Sequence, residues 1–394
     1  MSLNSTPVAN RIHIGFFGRR NAGKSSLVNA VLDQDIAVVS DIKGTTTDPV
    51  TKTMELSTLG PVVMIDTPGF DDEGDLGEKR MKKTTNVLNK TDIAVLVVDS
   101  SQGMTAEDAA FLELVKKKSI EYIVVFNKCD ESDIGTGVEN SLCVSAATGR
   151  NIDLLKRKLA GMAPRDSGRM LVADIVSPGQ LVVLVTPIDA SAPKGRLILP
   201  QQQVIRDILD CGAAVVVTRE TELEKTLKGL AEPPSLVITD SQAFGFVADT
   251  IPQDVPLTSF SILMSRYKGF LRTAVEGIGA IDKLRDGDTV LISEGCTHHR
   301  QCLDIGTVKI PRWLREHTGR SLKIKTSTGT GFPEDLSEFS LIIHCGGCML
   351  SEREVAYRRK CAEDAGIPFT NYGTFIAFVN GILERSLAPL NNNF

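Results

Sequence analysis

Eight residues near the amino terminus, Gly18-Arg19-Arg20-Asn21-Ala22-Gly23-Lys24-Ser25, constrain the fold of this chain more than any other stretch. They follow the apolar run Ile12-Phe17 and precede a helical pattern, which is the setting a phosphate-binding loop requires. In such a loop, backbone N–H groups and the helix N-terminus hold phosphates. Lys24 neutralises the β and γ oxygens, and the Ser25 hydroxyl ligates magnesium, with Ser26 beside it.

Three further motifs follow in chain order, each at the end of an apolar run. In Asp66-Thr67-Pro68-Gly69, the carboxylate can hold the magnesium shell and the Gly69 N–H can sense a γ-phosphate. In Asn127-Lys128-Cys129-Asp130, the Asp130 carboxylate can accept two hydrogen bonds from guanine N1–H and the 2-amino group, an arrangement adenine does not offer. Ser145-Ala146-Ala147 can support the guanine O6. The four together predict a GTP-hydrolysing domain.

Phe70 stands where Ras-type GTPases place the Gln that orients the attacking water, so hydrolysis needs another device. The domain resembles the hydrophobic-substituted, translation-factor-like GTPases related to the tRNA-modification GTPases. In those relatives the phosphate-loop Asn, matched here by Asn21, helps bind a potassium ion. The stretch Gly44-Thr45-Thr46-Thr47-Asp48 resembles their Gly-Thr-Thr-Arg-Asp switch, with Thr47 in place of Arg. One of Thr45 and Thr46 reaches magnesium; Thr46 is set beside Ser25 and Asp66, although the sequence does not decide between the two. Glu78 matches by spacing a Glu that organises water. Lys24, Asn21 and Glu78 are thus the catalytic candidates.

At 394 residues the chain has room for two or three domains. Its net charge of -5 argues against a nucleic-acid coat, and no apolar run approaches the length of a spanning helix. With no signal-peptide pattern, the expectation is a cytoplasmic protein with reduced thiols. Between Arg11 and Arg165, apolar runs at 12–17, 62–65, 93–98, 122–126 and 142–144 alternate with helical stretches, and Thr51-Ser57 turns into the next strand as a hairpin. After a Pro/Gly-containing linker the rhythm restarts, with strands at 181–185, 213–217 and 236–238. It continues beyond Arg266 with strands at 289–292, 322–325 and 341–343, then helices at 351–365 and 374–387. The expected class is α/β: a P-loop GTPase domain over 1–165 followed by two further small α/β domains, over 166–265 and 266–394. No internal repeat is visible.

Five of the eight cysteines lie in the third domain. Cys296-Thr297-His298 and His344-Cys345-Gly346-Gly347-Cys348 each follow an apolar strand, so a parallel sheet can bring both loops to its carboxyl edge, where ligands bind in open α/β sheets. Three Cys with one or two His suit a tetrahedral zinc or an iron–sulfur cluster, and residue types alone leave both open.

A GTPase domain of this subtype, a motif-poor middle domain and a Cys-x-His…His-Cys-x-x-Cys carboxyl-terminal domain together resemble the HydF family of [FeFe]-hydrogenase maturation GTPases over essentially the whole chain. The resemblance implies a homodimer built on the middle domain. It implies a [4Fe–4S] cluster anchored by Cys296, Cys345 and Cys348, with His298 and His344 near its labile corner. It also implies a di-iron precursor as cargo, with two radical-SAM maturases and the immature hydrogenase as partners. No membrane or nucleic acid is expected as partner. The rival reading is a ribosome-assembly or tRNA-modification GTPase with structural zinc, but the third domain is nearly charge-balanced and residues 166–394 lack the Gly-x-x-Gly of a KH clamp.

Overall fold

The computed structural model describes residues 6–32, 40–42, 49–56, 59–70, 83–130, 137–163, 168–188, 197–295, 304–329 and 331–390. The chain divides into two compact units, Met1–Ser167 and Gly168–Phe394.

The first unit is built on a seven-stranded sheet: β1 (Ile12–Phe17), β2 (Ser40–Ile42), β3 (Val50–Leu56), β4 (Gly60–Asp66), β5 (Ile93–Asp99), β6 (Glu121–Asn127) and β7 (Ser141–Cys143), in the order β2-β3-β4-β1-β5-β6-β7. The expected hairpin is present, with β3 antiparallel to β4, while β4, β1, β5, β6 and β7 run parallel. Both faces are covered, so the central strands read as continuous apolar runs. Their side chains divide with period two. Ile14, Phe16, Met64, Val95 and Val97 pack with the helices Lys24–Leu32 and Ile152–Gly161, whereas Phe17, Val63, Ile65, Leu96 and Val98 pack with the helix Ala106–Lys117.

The second unit holds two four-stranded, wholly parallel sheets. One comprises β8 (Leu181–Val185), β9 (Ala214–Thr218), β10 (Leu236–Thr239) and β11 (Leu257–Ser259); the other comprises β12 (Thr289–Ser293), β13 (Lys323–Ser327), β14 (Leu341–His344) and β15 (Phe369–Asn371). Their orders are β11-β10-β8-β9 and β13-β12-β14-β15, so each sheet places its strands second, first, third, fourth. A repeat invisible in the residues is therefore present in the topology.

In each sheet the fourth strand runs straight into a capped helix. Ser259 caps Phe260–Tyr267 by accepting from the Ile262 N–H, and Asn371 caps Tyr372–Val379 by accepting from the Thr374 N–H. The two helix starts meet, Asn371 Nδ2 donating to the Ser261 carbonyl at 3.0 Å and the Gly373 N–H to Ser261 Oγ at 3.2 Å. A Cβ at Gly373 would stand 2.9 Å from the Ile262 amide nitrogen, which is why the approach takes glycine. One apolar core runs through both sheets, and the helix Phe260–Tyr267 spans the 265/266 boundary expected between the middle and third domains.

Candidate functional site

In the first unit, four strand ends converge. The loop after β1 carries Gly18, whose Cβ would lie 2.2 Å from the Val97 carbonyl oxygen, so the turn passes under β5 only without a side chain. Lys24 is buried, its Nζ donating to the carbonyls of Gly18 (2.9 Å) and Arg19 (2.7 Å), which poises the ammonium inside the loop. Asn21 is exposed and takes φ +61°, a left-handed conformation that Asn tolerates best after glycine.

Ser25 Oγ donates to Asp66 Oδ2 at 2.5 Å, while Asp66 Oδ1 is buried without a partner among the described residues. Burial pushes the Asp66 carboxyl above its ordinary range, against the Ser25 hydrogen bond and the Lys24 and Lys52 charges. A carboxylate oxygen left bare beside a serine hydroxyl at a phosphate loop fits a hard divalent cation, so Ser25 and Asp66 suit magnesium.

Asn127 ties the site together. Its Nδ2 donates to the Ala22 carbonyl (3.1 Å) and, at the limit, to that of Gly23 (3.5 Å); its Oδ1 accepts from the Ala146 N–H (3.1 Å). Ser145 Oγ donates to Asp130 and so fixes the orientation of its carboxylate. Lys128, at φ +68°, reaches across to Asp99 at 2.6 Å. Partial burial raises the Asp99 carboxyl, but hydrogen bonds from Lys128 and Ser101 outweigh it and hold the group below the usual range. Phe70 is buried and stacks on Phe111 with ring centroids 5.0 Å apart, so it is core and cannot orient water. Gly69 lies within the described residues beside it; Thr45, Thr46 and Glu78 lie outside them.

In the second unit, β12 and β14 are paired neighbours with Ser293 opposite His344, so the loops they feed share one edge. The Gly295 N–H donates to Cys345 Sγ at 3.1 Å and the Gly347 N–H at 3.4 Å. Gly347, at φ +69°, makes the tight turn between the two thiols. Burial pushes Cys345 up, against those two N–H groups and the Arg358 charge; it pushes Cys348 up to about 12, reinforced by Cys345 and opposed by Lys268. Two half-buried thiols with N–H groups aimed at sulfur become thiolates once a cation joins them, which fits a thiophilic metal or cluster. Among the described residues no three His, Cys, Asp or Glu form such a site by themselves; Cys296 and His298 lie outside them.

His344 departs from the expected ligand role. It is fully buried, with Nδ1 2.6 Å from the Cys345 carbonyl and Nε2 3.3 Å from Arg358 Nη1, so both ring nitrogens are engaged. Burial and the Arg358 charge hold its pKa down at about 3, and the neutral ring donates from Nδ1 and accepts at Nε2. It stacks on Phe369 and meets Phe270 edge-on. Its geometry is that of a prop under Cys345.

Motif reasoning misses Arg358, also fully buried, which donates to Glu354, Ser293, His344 and the Gly329 carbonyl. It also misses Glu294, a buried carboxylate whose Oε1 accepts from Tyr372 at 3.2 Å. The Glu354–Arg358 spacing of four on a helix is the one available signal.

The fold and loops define the class: a P-loop GTPase domain joined to two parallel α/β sheets, the second with a cysteine-bearing edge. Residues 13–128 match the family model of a 50S ribosome-binding GTPase, residues 171–269 the hydrogen maturase F dimerization domain, and residues 272–389 the hydrogen maturase F tetramerization domain. The chain belongs to the hydrogen maturase F (HydF) family.

Among curated proteins it is 38% identical over 157 residues to the tRNA modification GTPase MnmE of Chromobacterium violaceum, covering 38% of this chain and 34% of that protein. It is 39% identical over 165 residues to the GTPase Der of Wolinella succinogenes, covering 38% and 35%. The chain thus spans about a third of the length of these relatives. Solved structures similar to it include an Aquifex aeolicus Era variant bound to GDP and aluminium fluoride (18% identity, 52% of this chain and 92% of that one, TM-score 0.33). The G domain of the T. maritima FeoB iron transporter is another (22%, 39% and 99%, TM-score 0.29). No helix among the described residues is long and apolar enough to cross a membrane.

Proposed function

We propose that the chain is a GTP-hydrolysing scaffold that carries an iron–sulfur cluster and delivers the di-iron precursor of the [FeFe]-hydrogenase active site. The observation carrying this is the meeting of Gly295 with Cys345 at one sheet edge: it brings the residue before Cys296 to a sulfur at which two backbone N–H groups already point. Cys296, Cys345 and Cys348 would hold a [4Fe–4S] cluster, which supplies a metal corner able to exchange a ligand. His344, propped between Arg358 and the Cys345 carbonyl, keeps that loop in register, and His298 remains a candidate near the corner.

In the GTPase domain, Ser25 and Asp66 would hold magnesium with one switch threonine, Lys24 would bear on the phosphates, and Asp130 would read guanine. With Phe70 in the core, Asn21 as a potassium ligand and Glu78 as a water-organising group are the remaining device. GTP turnover would bias the switches and partner engagement, and leave the cluster chemistry to the second unit. The middle domain would supply a homodimer contact, supported by β9, an edge strand with Val217 exposed. The hydrogenase and the radical-SAM maturases follow as partners from family membership, and the cytoplasm as compartment from the free thiols.

The test is anaerobic reconstitution, iron and sulfide analysis, and electron paramagnetic resonance of the reduced protein. Cluster signal lost in Cys345→Ser with GTP turnover retained is the expected result. Stoichiometric, exchange-resistant zinc and no cluster signal would overturn the proposal in favour of an RNA-associated GTPase.

A further inference from the structure

Arg358 holds a permanent charge where charge is costly. Its side chain is fully buried, and a guanidinium does not give up its proton in proteins. The carboxylate beside it, Glu354, is buried as well. Replacing such a pair by packed apolar residues is often neutral or stabilising, so stability alone does not account for its presence.

The pair lies in one particular direction. Nε and Nη2 of Arg358 face Glu354 Oε1 at 2.9 Å. Nη1 faces the other way, donating to Ser293 Oγ at 3.2 Å and to His344 Nε2 at 3.3 Å, while Nη2 also reaches the Gly329 carbonyl. These contacts join the ends of β12 and β14 to the segment after β13. The Phe332 ring covers the guanidinium, its centroid 5.3 Å from Cζ.

The ion pair is therefore an oriented dipole with its positive end toward the cysteine loop. His344 relays the contact, its Nδ1 lying 2.6 Å from the Cys345 carbonyl. At Cys345 the Arg358 charge acts against that of the buried Glu294, and at Cys348 the buried Lys268 acts in the same sense as Arg358. In a low-dielectric interior a fixed cation favours the more negative of two charge states. Charge and hydrogen bonding around cysteine sulfur are what set the potential of an iron–sulfur cluster.

We infer, resting on the cluster proposed above, that Arg358 is a positioning residue of the cysteine site: it fixes the Cys345 loop through His344 and turns a permanent positive charge on it, raising the reduction potential of a cluster held there. The test is redox titration of the reconstituted full chain, followed by electron paramagnetic resonance, with iron measured in every sample. Arg358→Gln/Glu354→Gln replaces the ion pair by a neutral one and strands no buried carboxylate. Its midpoint should fall by about 59 mV or more, a tenfold shift toward the oxidised cluster in a one-electron couple. Arg358→Lys keeps the charge without the planar fork, so its midpoint should stay within about twofold of the wild type on the same scale. An unmoved midpoint in the iron-loaded double variant, or equal falls in both variants, would overturn the inference. Should Trp313 fluorescence show the double variant unfolded, Arg358→Met/Glu354→Leu takes its place with the same expectation. A wild type that holds zinc and no cluster would defeat the cluster reading alone. There, or for a folded variant that takes up no iron, zinc affinity measured against a chromophoric chelator decides: it should be at least about tenfold weaker in the double variant, and equal affinity would overturn the role of Arg358.

Discussion

Asn127→Ala should loosen nucleotide binding more than its distance from the phosphates suggests. The side chain is 2% exposed and makes two hydrogen bonds of ordinary length, to the Ala22 carbonyl and from the Ala146 N–H, with a third at the limit of range. Each bond is worth about 1 kcal/mol net, and a buried group left without a partner costs about 1–3 kcal/mol. The total is about 2–4 kcal/mol, divided between the stability of the domain and the placement of its two nucleotide loops. If half to two thirds of it falls on loop placement, the dissociation constants of both GTP and GDP rise by about five- to a hundredfold.

Asn127→Asp sharpens the test. It keeps an acceptor for Ala146 but turns a carboxylate oxygen toward the Ala22 carbonyl, so it should bind nucleotide more weakly than the alanine variant. Fluorescent-nucleotide titration of the three proteins reads both effects. Wild-type affinity in Asn127→Ala, or tighter binding by Asp than by Ala, would refute the reasoning.

GTP turnover should be faster in potassium than in sodium at constant ionic strength, and Asn21→Ala should remove the difference; equal rates in the two salts would reject the potassium device. Arg358→Met should destabilise the second unit by about 3–5 kcal/mol, because it strands the buried Glu354 carboxylate, and adding Glu354→Leu should restore much of the loss. The single tryptophan, Trp313, lies in this unit and reports it by fluorescence during urea unfolding; an unmoved midpoint in Arg358→Met would count against the network. Val217→Lys should weaken self-association in light scattering, since it charges the exposed edge of β9, and an unaltered mass would exclude that edge as the contact.

Long apolar runs are legible in the sequence. Ile12–Phe17 and Leu181–Val185 read at their observed limits because both faces of each strand are buried. The three-residue strands β11 and β15 do not, since Leu257-Thr258-Ser259 and Phe369-Thr370-Asn371 are mixed in polarity and become strands by pairing with β10 and β14. The helix expected over 374–387 is two, divided at Gly381, whose φ of +69° ends the first. The phosphate and guanine loops can be found because their residues are contiguous. The surroundings of His344 cannot, because Phe270, Arg358 and Phe369 reach it from distant parts of the chain.

The two sheets of the second unit show why topology and chemistry must be argued apart. In a parallel sheet ordered second, first, third, fourth, the crevice opens where the first and third strands diverge, whatever residues they carry. In the first sheet those strands end at Val185 and Thr239, followed by Thr186 and Asp240, and Asp240 accepts from Gln201 at 2.8 Å. In the second they end at Ser293 and His344, followed by Glu294 and Cys345. Strand pairing constrains the backbone and leaves the residue just past each strand free to change. One crevice therefore presents a hydrogen-bonded polar pair, while the other presents sulfur, and the difference lies in loop residues that the shared fold does not dictate.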